Sequence, residues 1–215
     1  MVDAARPDGA GLPEGFLERV GATPARQADI ELYRQMLANA NQTMNLVGEA
    51  TLESFWGRHF VDSAQLLWFV PAARVWADLG SGAGLPGLVL AILLKGRPGS
   101  TVHLVESMAK RCRFLGEVVA ALDLPAVVHQ ARAESLRLRV EVVTARACAP
   151  LGRLLGYAQP FLARGARGVF LKGAAVEAEV AEARKTWRFG LEERPSISDR
   201  RGRLLFVEGL SRVGR

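Results

Sequence analysis

The sequence predicts an α/β protein: a mostly parallel seven-stranded sheet that ends in an antiparallel hairpin, preceded by an N-terminal helical extension. Three observations carry this. From Arg74 onward, short apolar runs alternate with longer stretches of helical period. A glycine-rich segment, Asp78 to Gly87, follows the first run and opens a helical pattern. The last two runs are separated only by Pro195 to Gly202, too short for a crossover helix.

The elements follow in order. Residues 1–15 are rich in Gly, Pro and Ala with few apolar anchors, and disorder is expected there. Residues 16–70 make the helical extension. Within it Thr23-Pro24 is a helix start, a cap residue and then proline in the first turn. Ile30, Leu32, Tyr33, Met36 and Leu37 recur at helical spacing behind it. A second helix is predicted from Leu52 to Phe69, ended by Pro71. Residues 71–215 make the sheet domain. Its parallel strands are predicted at Val75–Leu79, Val102–Val105, Ala126–Val128, Val142–Ala145 and Gly168–Leu171. Helices are predicted at Pro86–Leu94, Lys110–Leu122, Leu151–Leu162 and Ala174–Lys185. Trp187–Glu193 and Arg203–Val207 form the hairpin, at one sheet edge. Its Trp187 and Phe189 could stack a base, although edge-strand packing is the simpler reading.

Composition narrows the function classes. No apolar stretch approaches the ~20 residues that a membrane helix needs, and no apolar signal core follows the N-terminus. A cytoplasmic protein without a membrane partner is expected. Cys112 and Cys148 make no disulfide framework, and no Cys/His spacing suggests a metal. The formal net charge of +6 favours a polyanionic partner. Lysine occurs only as Lys95, Lys110, Lys172 and Lys185, so the charge is mostly arginine, whose planar fork suits phosphates. A GC-rich genome also raises arginine, so charge alone leaves the partner open. No obligate protein partner is evident, and a monomer is expected.

The glycine segment reads DLGSGAGLPG. Gly82, Gly84 and Gly87 satisfy the dinucleotide pattern G-x-G-x-x-G, so an NAD(P)-linked oxidoreductase is one reading. Asp78-x-Gly80-x-Gly82-x-Gly84 is also the acidic-plus-glycine arrangement of S-adenosylmethionine sites. A carboxylate beside the loop suits a sulfonium cation and would repel a pyrophosphate. Glu106, ending the second strand, stands where a ribose hydroxyl would be bound in either case. Ala133-Glu134, after the third strand, stands where an adenine edge would lie. A doubly wound sheet that closes with a hairpin is the layout of Rossmann-like methyltransferases, which favours S-adenosylmethionine as cofactor.

Several segments together resemble the RsmG (GidB) family of bacterial 16S ribosomal RNA methyltransferases. They are Asn45-Leu46, Arg58-His59 with Asp62-Ser63, the glycine segment, Glu106-Ser107, and Lys110-Arg111 to Phe114-Leu115. Ala133-Glu134, Thr144-Ala145-Arg146-Ala147 and Leu171-Lys172-Gly173 continue in family order. The resemblance implies methyl transfer from S-adenosylmethionine to guanine N7, with 16S ribosomal RNA or a precursor small subunit as partner. It places Gly80, Leu85, Glu106, Ala133, Glu134 and Arg146 at the cofactor, and the glycine motif adds Asp78, Ser81, Gly82 and Gly84. Arg146 would stand between cofactor and RNA, and Arg58, His59 and Lys172 would line the RNA-facing rim; Lys110 and Arg111 could track RNA phosphates, although a solvated helix face explains them almost as well. Cys148 departs from the family, which has Phe there, and Ala145 replaces its Ser.

Guanine N7 carries an exposed lone pair, so its methylation needs no general base. Proximity and orientation would carry the rate, and Arg146 would serve in positioning. Two rivals remain at this point: a Cys148 nucleophile methylating a pyrimidine C5, against which a small buried cysteine is the simpler reading, and an RNA-binding module without catalysis.

Overall fold

The computed structural model describes residues 12–214. The expected disorder of residues 1–11 lies outside that span. Leu12 packs against the core, and Phe16 donates its amide to the Pro13 carbonyl at 3.0 Å.

The helical extension comprises α1 (Phe16–Arg19), α2 (Pro24–Met44), α3 (Glu49–Glu53), a π-helix (Phe55–Phe60) and α4 (Val61–Phe69). Thr23 caps α2 by accepting from the Arg26 amide at 3.4 Å, as the Thr-Pro signature predicts. The single helix predicted over Leu52–Phe69 is instead three pieces. The apolar residues Phe55, Trp56 and Phe60 all reach the core from a middle turn that holds an extra residue.

The sheet is built from β1 (Val75–Leu79), β2 (Thr101–Glu106), β3 (Ala126–Gln130), β4 (Val142–Arg146), β5 (Arg167–Lys172), β6 (Trp187–Pro195) and β7 (Arg203–Arg212). Their order is β3-β2-β1-β4-β5-β7-β6. The first five strands are parallel, and β7 lies antiparallel between β5 and β6. Helices α5 (Gly87–Leu94), α6 (Ala109–Ala121), α7 (Leu151–Leu162) and α8 (Val176–Arg184) link and cover them. α5 is buried on every side, which its uninterrupted apolar sequence requires.

One core runs through both regions. Ile30, Tyr33, Leu37, Phe55 and Phe60 of the extension belong to the same buried cluster as Trp76, Leu88 and Leu104 of the sheet domain. The second cluster lies on the opposite sheet face and takes in Trp187 and Phe189. Those two rings are buried, and Trp187 donates to the Gly152 carbonyl at 2.9 Å, so neither is open to a base. Among the described residues no helix is long and apolar enough to cross a membrane.

Candidate cofactor and substrate site

Parallel pairing brings the carboxyl ends of β1, β2, β4 and β5 to one edge of the sheet. The reversal of strand order between β1 and β4 opens a crevice there. A cavity of about 1430 Å³ occupies it. Its floor is the glycine loop, and its walls include the segment after α2, the π-helix, the loop after β4, the end of β5 and the β6–β7 loop.

Two glycines explain the loop. Gly82 has φ 53°, a left-handed conformation, and donates its amide to Glu106 Oε2 at 3.1 Å. Gly87 starts α5 so close to β1 and β2 that a Cβ there would lie 2.3 Å from Leu104 and 2.6 Å from the Asp78 carboxylate. Asp78 accepts the Gly87 amide at 3.1 Å and is fully buried. The carboxylate expected beside the sulfonium therefore supports the loop from behind and lines no part of the cavity. Its Oδ1 has no hydrogen-bond partner, and burial pushes its pKa up to about 7.

This shift has a sign that can be tested. A carboxyl whose pKa rises on folding keeps its proton in the native state after the unfolded chain has lost it. Stability is then fully present below about pH 4 and falls as pH rises towards about 7. Relative to Asp78→Asn, the wild-type protein should lose stability across that window at up to about 1.4 kcal/mol per pH unit. Urea unfolding of both proteins at several pH values measures it; parallel curves would rule out a neutral Asp78.

Glu106 is buried and also accepts the Met108 amide at 2.8 Å, while Arg111 stands 3.7 Å from it. Tyr33 of α2 donates to the Ala83 carbonyl at 2.7 Å and so ties the helical extension to the glycine loop. Sequence reading had Tyr33 only as part of an apolar stripe; a hydroxyl on such a stripe was the available signal.

Arg146 ends β4 and reaches the extension. Its NH1 donates to His59 Nδ1 at 2.9 Å and to Asp62 Oδ2 at 3.2 Å. Its Nε and NH2 make no hydrogen bond among the described residues. A guanidinium only donates, so His59 must accept through a neutral ring. Burial, then Arg146 and Arg58, push the His59 pKa down to about 3. Nε2 then carries the proton, buried and without a partner.

The loop after β4 is pinned from the other side. Lys172 donates to the Ala149 carbonyl and to Glu179 of α8, both at 2.7 Å, and Glu179 also accepts the Leu151 amide at 2.7 Å. Cys148 hangs from this loop over the glycine floor, its sulfur 2.7 Å from where a Cβ on Gly80 would stand. Burial, with Asp78 and Glu106 nearby, raises the thiol pKa. A thiol held protonated is not an activated nucleophile, which removes the basis for C5 chemistry.

The remaining expected residues divide. Gly80, Ser81, Gly82, Leu85, Arg58 and Arg111 line the cavity. Gly84 is packed beneath the loop against Leu88, outside the cavity lining. Lys110 is turned away and donates to the Thr43 carbonyl at the end of α2. Ala133 and the exposed Glu134 form a 3₁₀ turn after β3 and do not line the cavity. Among the described residues no group of three or more His, Cys, Asp or Glu could hold a metal.

One wall was missed entirely. The fully buried Gln65 donates to Ser196 Oγ at 3.1 Å and accepts the Ile197 amide at 2.8 Å. Ser198 donates to Asp62 Oδ1 at 2.9 Å. A glutamine inside the run Ala64-Gln65-Leu66-Leu67 was the only sequence signal that something polar docks there.

A sheet of this order with a glycine loop at its switch point defines the class: a Rossmann-like methyltransferase fold. Solved structures agree on the fold. Magnesium protoporphyrin IX methyltransferase from Synechocystis PCC 6803 with bound SAM has TM-score 0.56 at 11% identity, over 76% of this chain and 86% of that one. A SAM dependent methyltransferase from Aquifex aeolicus has TM-score 0.51 at 14% identity, over 68% and 88%. Sequence goes further. The GidB family model, rRNA small subunit methyltransferase G, matches residues 26–202. Ribosomal RNA small subunit methyltransferase G of Caulobacter vibrioides is 57% identical over 214 residues, 97% of this chain and 99% of the relative. The Methylorubrum populi protein of that name is 46% identical over 187 residues, 86% and 89%. The chain belongs to the GidB family and is an S-adenosylmethionine-dependent methyltransferase. The NAD(P) reading falls with that.

The residues present fit this cofactor. The backbone at Gly82 leaves open space where a side chain would stand, its nearest heavy atom being Gly80 O at 3.7 Å. Glu106, buried behind that backbone, holds it in place by accepting the Gly82 amide.

Proposed function

We propose that the chain methylates N7 of a guanine in 16S ribosomal RNA, acting in the cytoplasm as a monomer on RNA or a precursor small subunit. The observation that carries the N7 reading is that neither His59 nor Cys148, both at the cavity, is primed as a base. His59 is held neutral with its lone pair given to Arg146, and Cys148 is held protonated. Guanine N7 attacks with a lone pair it already has, so such a site suffices.

S-adenosylmethionine, when bound, supplies an electrophilic methyl group. The chain's own residues orient the partners. Gly80, Gly82 and Leu85 would present the loop to the cofactor, Glu106 would accept from the ribose hydroxyls, and Ala133-Glu134 would flank the adenine. Arg146, fixed through NH1, would turn its remaining nitrogens to the guanine or a flanking phosphate. Residues 16–70 serve as an integral extension of the 71–215 domain, because Tyr33, His59 and Asp62 each hold part of the site.

The test is methyl transfer from labelled S-adenosylmethionine to small subunits from cells lacking the enzyme, followed by nuclease digestion and mass spectrometry. Label in 7-methylguanosine is the expected result. Label in another nucleoside, or none in the small subunit, would overturn the N7 reading.

A further inference from the structure

The β6–β7 loop, residues 196–202, carries two cations that the fold does not use. Arg200 and Arg201 are exposed on the cavity rim, and neither guanidinium makes a hydrogen bond or ion pair among the described residues. Of the neighbouring cations, Arg194 pairs with Glu192 and Arg167 pairs with Glu192 and Glu208, while Arg188, at the other end of β6, is exposed and also unpaired among the described residues. The one carboxylate in the loop, Asp199, accepts the Arg201 amide at 2.9 Å and leaves both guanidiniums alone. Across the cavity mouth the exposed Arg58 is likewise without a partner among the described residues.

The loop is also built to hold position. Arg203 braces it from within, donating through NH1 to Arg200 O at 3.1 Å and Gly202 O at 2.9 Å. Gly202 donates to Asp199 O at 2.9 Å, and Ser196 donates to Gly202 O at 3.1 Å. Gln65 and Asp62 anchor it to α4, and Asp62 holds Arg146 with its other oxygen. Flexible surface arginines spend much of a charge contact on ordering themselves; a braced loop has already fixed the backbone that carries them.

We infer that this loop is a phosphate-gripping arm: Arg200 and Arg201 hold backbone phosphates flanking the target nucleotide, opposite Arg58. The inference rests on RNA being the substrate. The arm adds affinity without sequence readout, because phosphate contacts position a nucleic acid and base contacts specify it.

The experiment is binding of the full chain to transcribed 16S ribosomal RNA over a series of KCl concentrations, for wild type and for R200Q/R201Q. Two lost phosphate contacts should lower the slope of log affinity against log salt by about 1.4 to 1.8. The KM for small subunits should rise roughly tenfold with kcat at saturation kept, and R200K/R201K should restore both. S-adenosylmethionine affinity and melting temperature serve as folding controls, and Arg139→Gln, ahead of β4 at the far end of the sheet, as a charge control. An unchanged salt slope in R200Q/R201Q would overturn the arm. Failure of the 16S RNA reading would register separately, as no transfer to small subunits by the wild-type protein, whatever the slope.

Discussion

Gly82→Val is expected to weaken S-adenosylmethionine binding by at least about a hundredfold while the protein still folds. The residue sits at φ 53°, where a β-branched side chain costs on the order of 1–2 kcal/mol. Relaxing that strain means moving the amide that Glu106 accepts at 3.1 Å, and with it the carboxylate proposed for the ribose. Accepting it means placing two methyl groups in the cavity, because no protein atom lies nearer a Cβ than Gly80 O at 3.7 Å. Either course removes the ligand's place. The same open surroundings keep the cost to the fold small, a melting shift of a few degrees. Titration calorimetry alongside a thermal melt checks it; binding within tenfold of wild type would mean the cofactor is not seated on this loop.

Arg146→Ala should have the opposite profile: turnover down by about a hundredfold, cofactor affinity within a few-fold. The guanidinium touches the extension through NH1 and leaves Nε and NH2 to the cavity. Its loss removes whatever those nitrogens orient and leaves His59 Nδ1 without its donor, a cost of about 1–3 kcal/mol in stability. Asp62 keeps Ser198 and Gln65 as partners, so the substrate wall survives. Arg146→Lys should rescue little, since a single ammonium cannot hold His59 and Asp62 while offering a second planar edge. Single-turnover rates at saturating cofactor separate this from a binding defect, and normal turnover in the alanine variant would remove Arg146 from the mechanism.

Much of the fold was legible because period and punctuation are local. The alternation of runs placed every strand, and the short Pro195–Gly202 connection identified the antiparallel pair. What periodicity could not show was β7 inserting between β5 and β6, because strand order is a long-range property. The glycine loop was legible for the same reason as the strands. Asp78 was misplaced, because a motif gives spacing but not the direction a side chain takes. Burial between α5 and the sheet sends that carboxyl to Gly87 and away from the cavity. Lys110 and Lys172 show the limit for charges. Sequence counts a cation, but only the fold reveals that a carbonyl or Glu179 has already engaged it. Tyr33 reaches the glycine loop across 50 positions and Gln65 reaches Ser196 across 131, and no window along the chain contains those partners.

The π-helix at Phe55–Phe60 gives chain length a meaning of its own. Loops absorb insertions and deletions with little consequence. Here the turn itself is locked by Phe55 and Trp56 at its start, and the helix after it by Leu66 and Leu67, all buried in the core. One residue more or fewer between these anchors would turn one against the other by about 100°. His59 and Asp62, which must meet Arg146 together, would then be set by a different angular phase from the core residues beside them. The count of residues through this turn is thus as much a specification of the site as their identities.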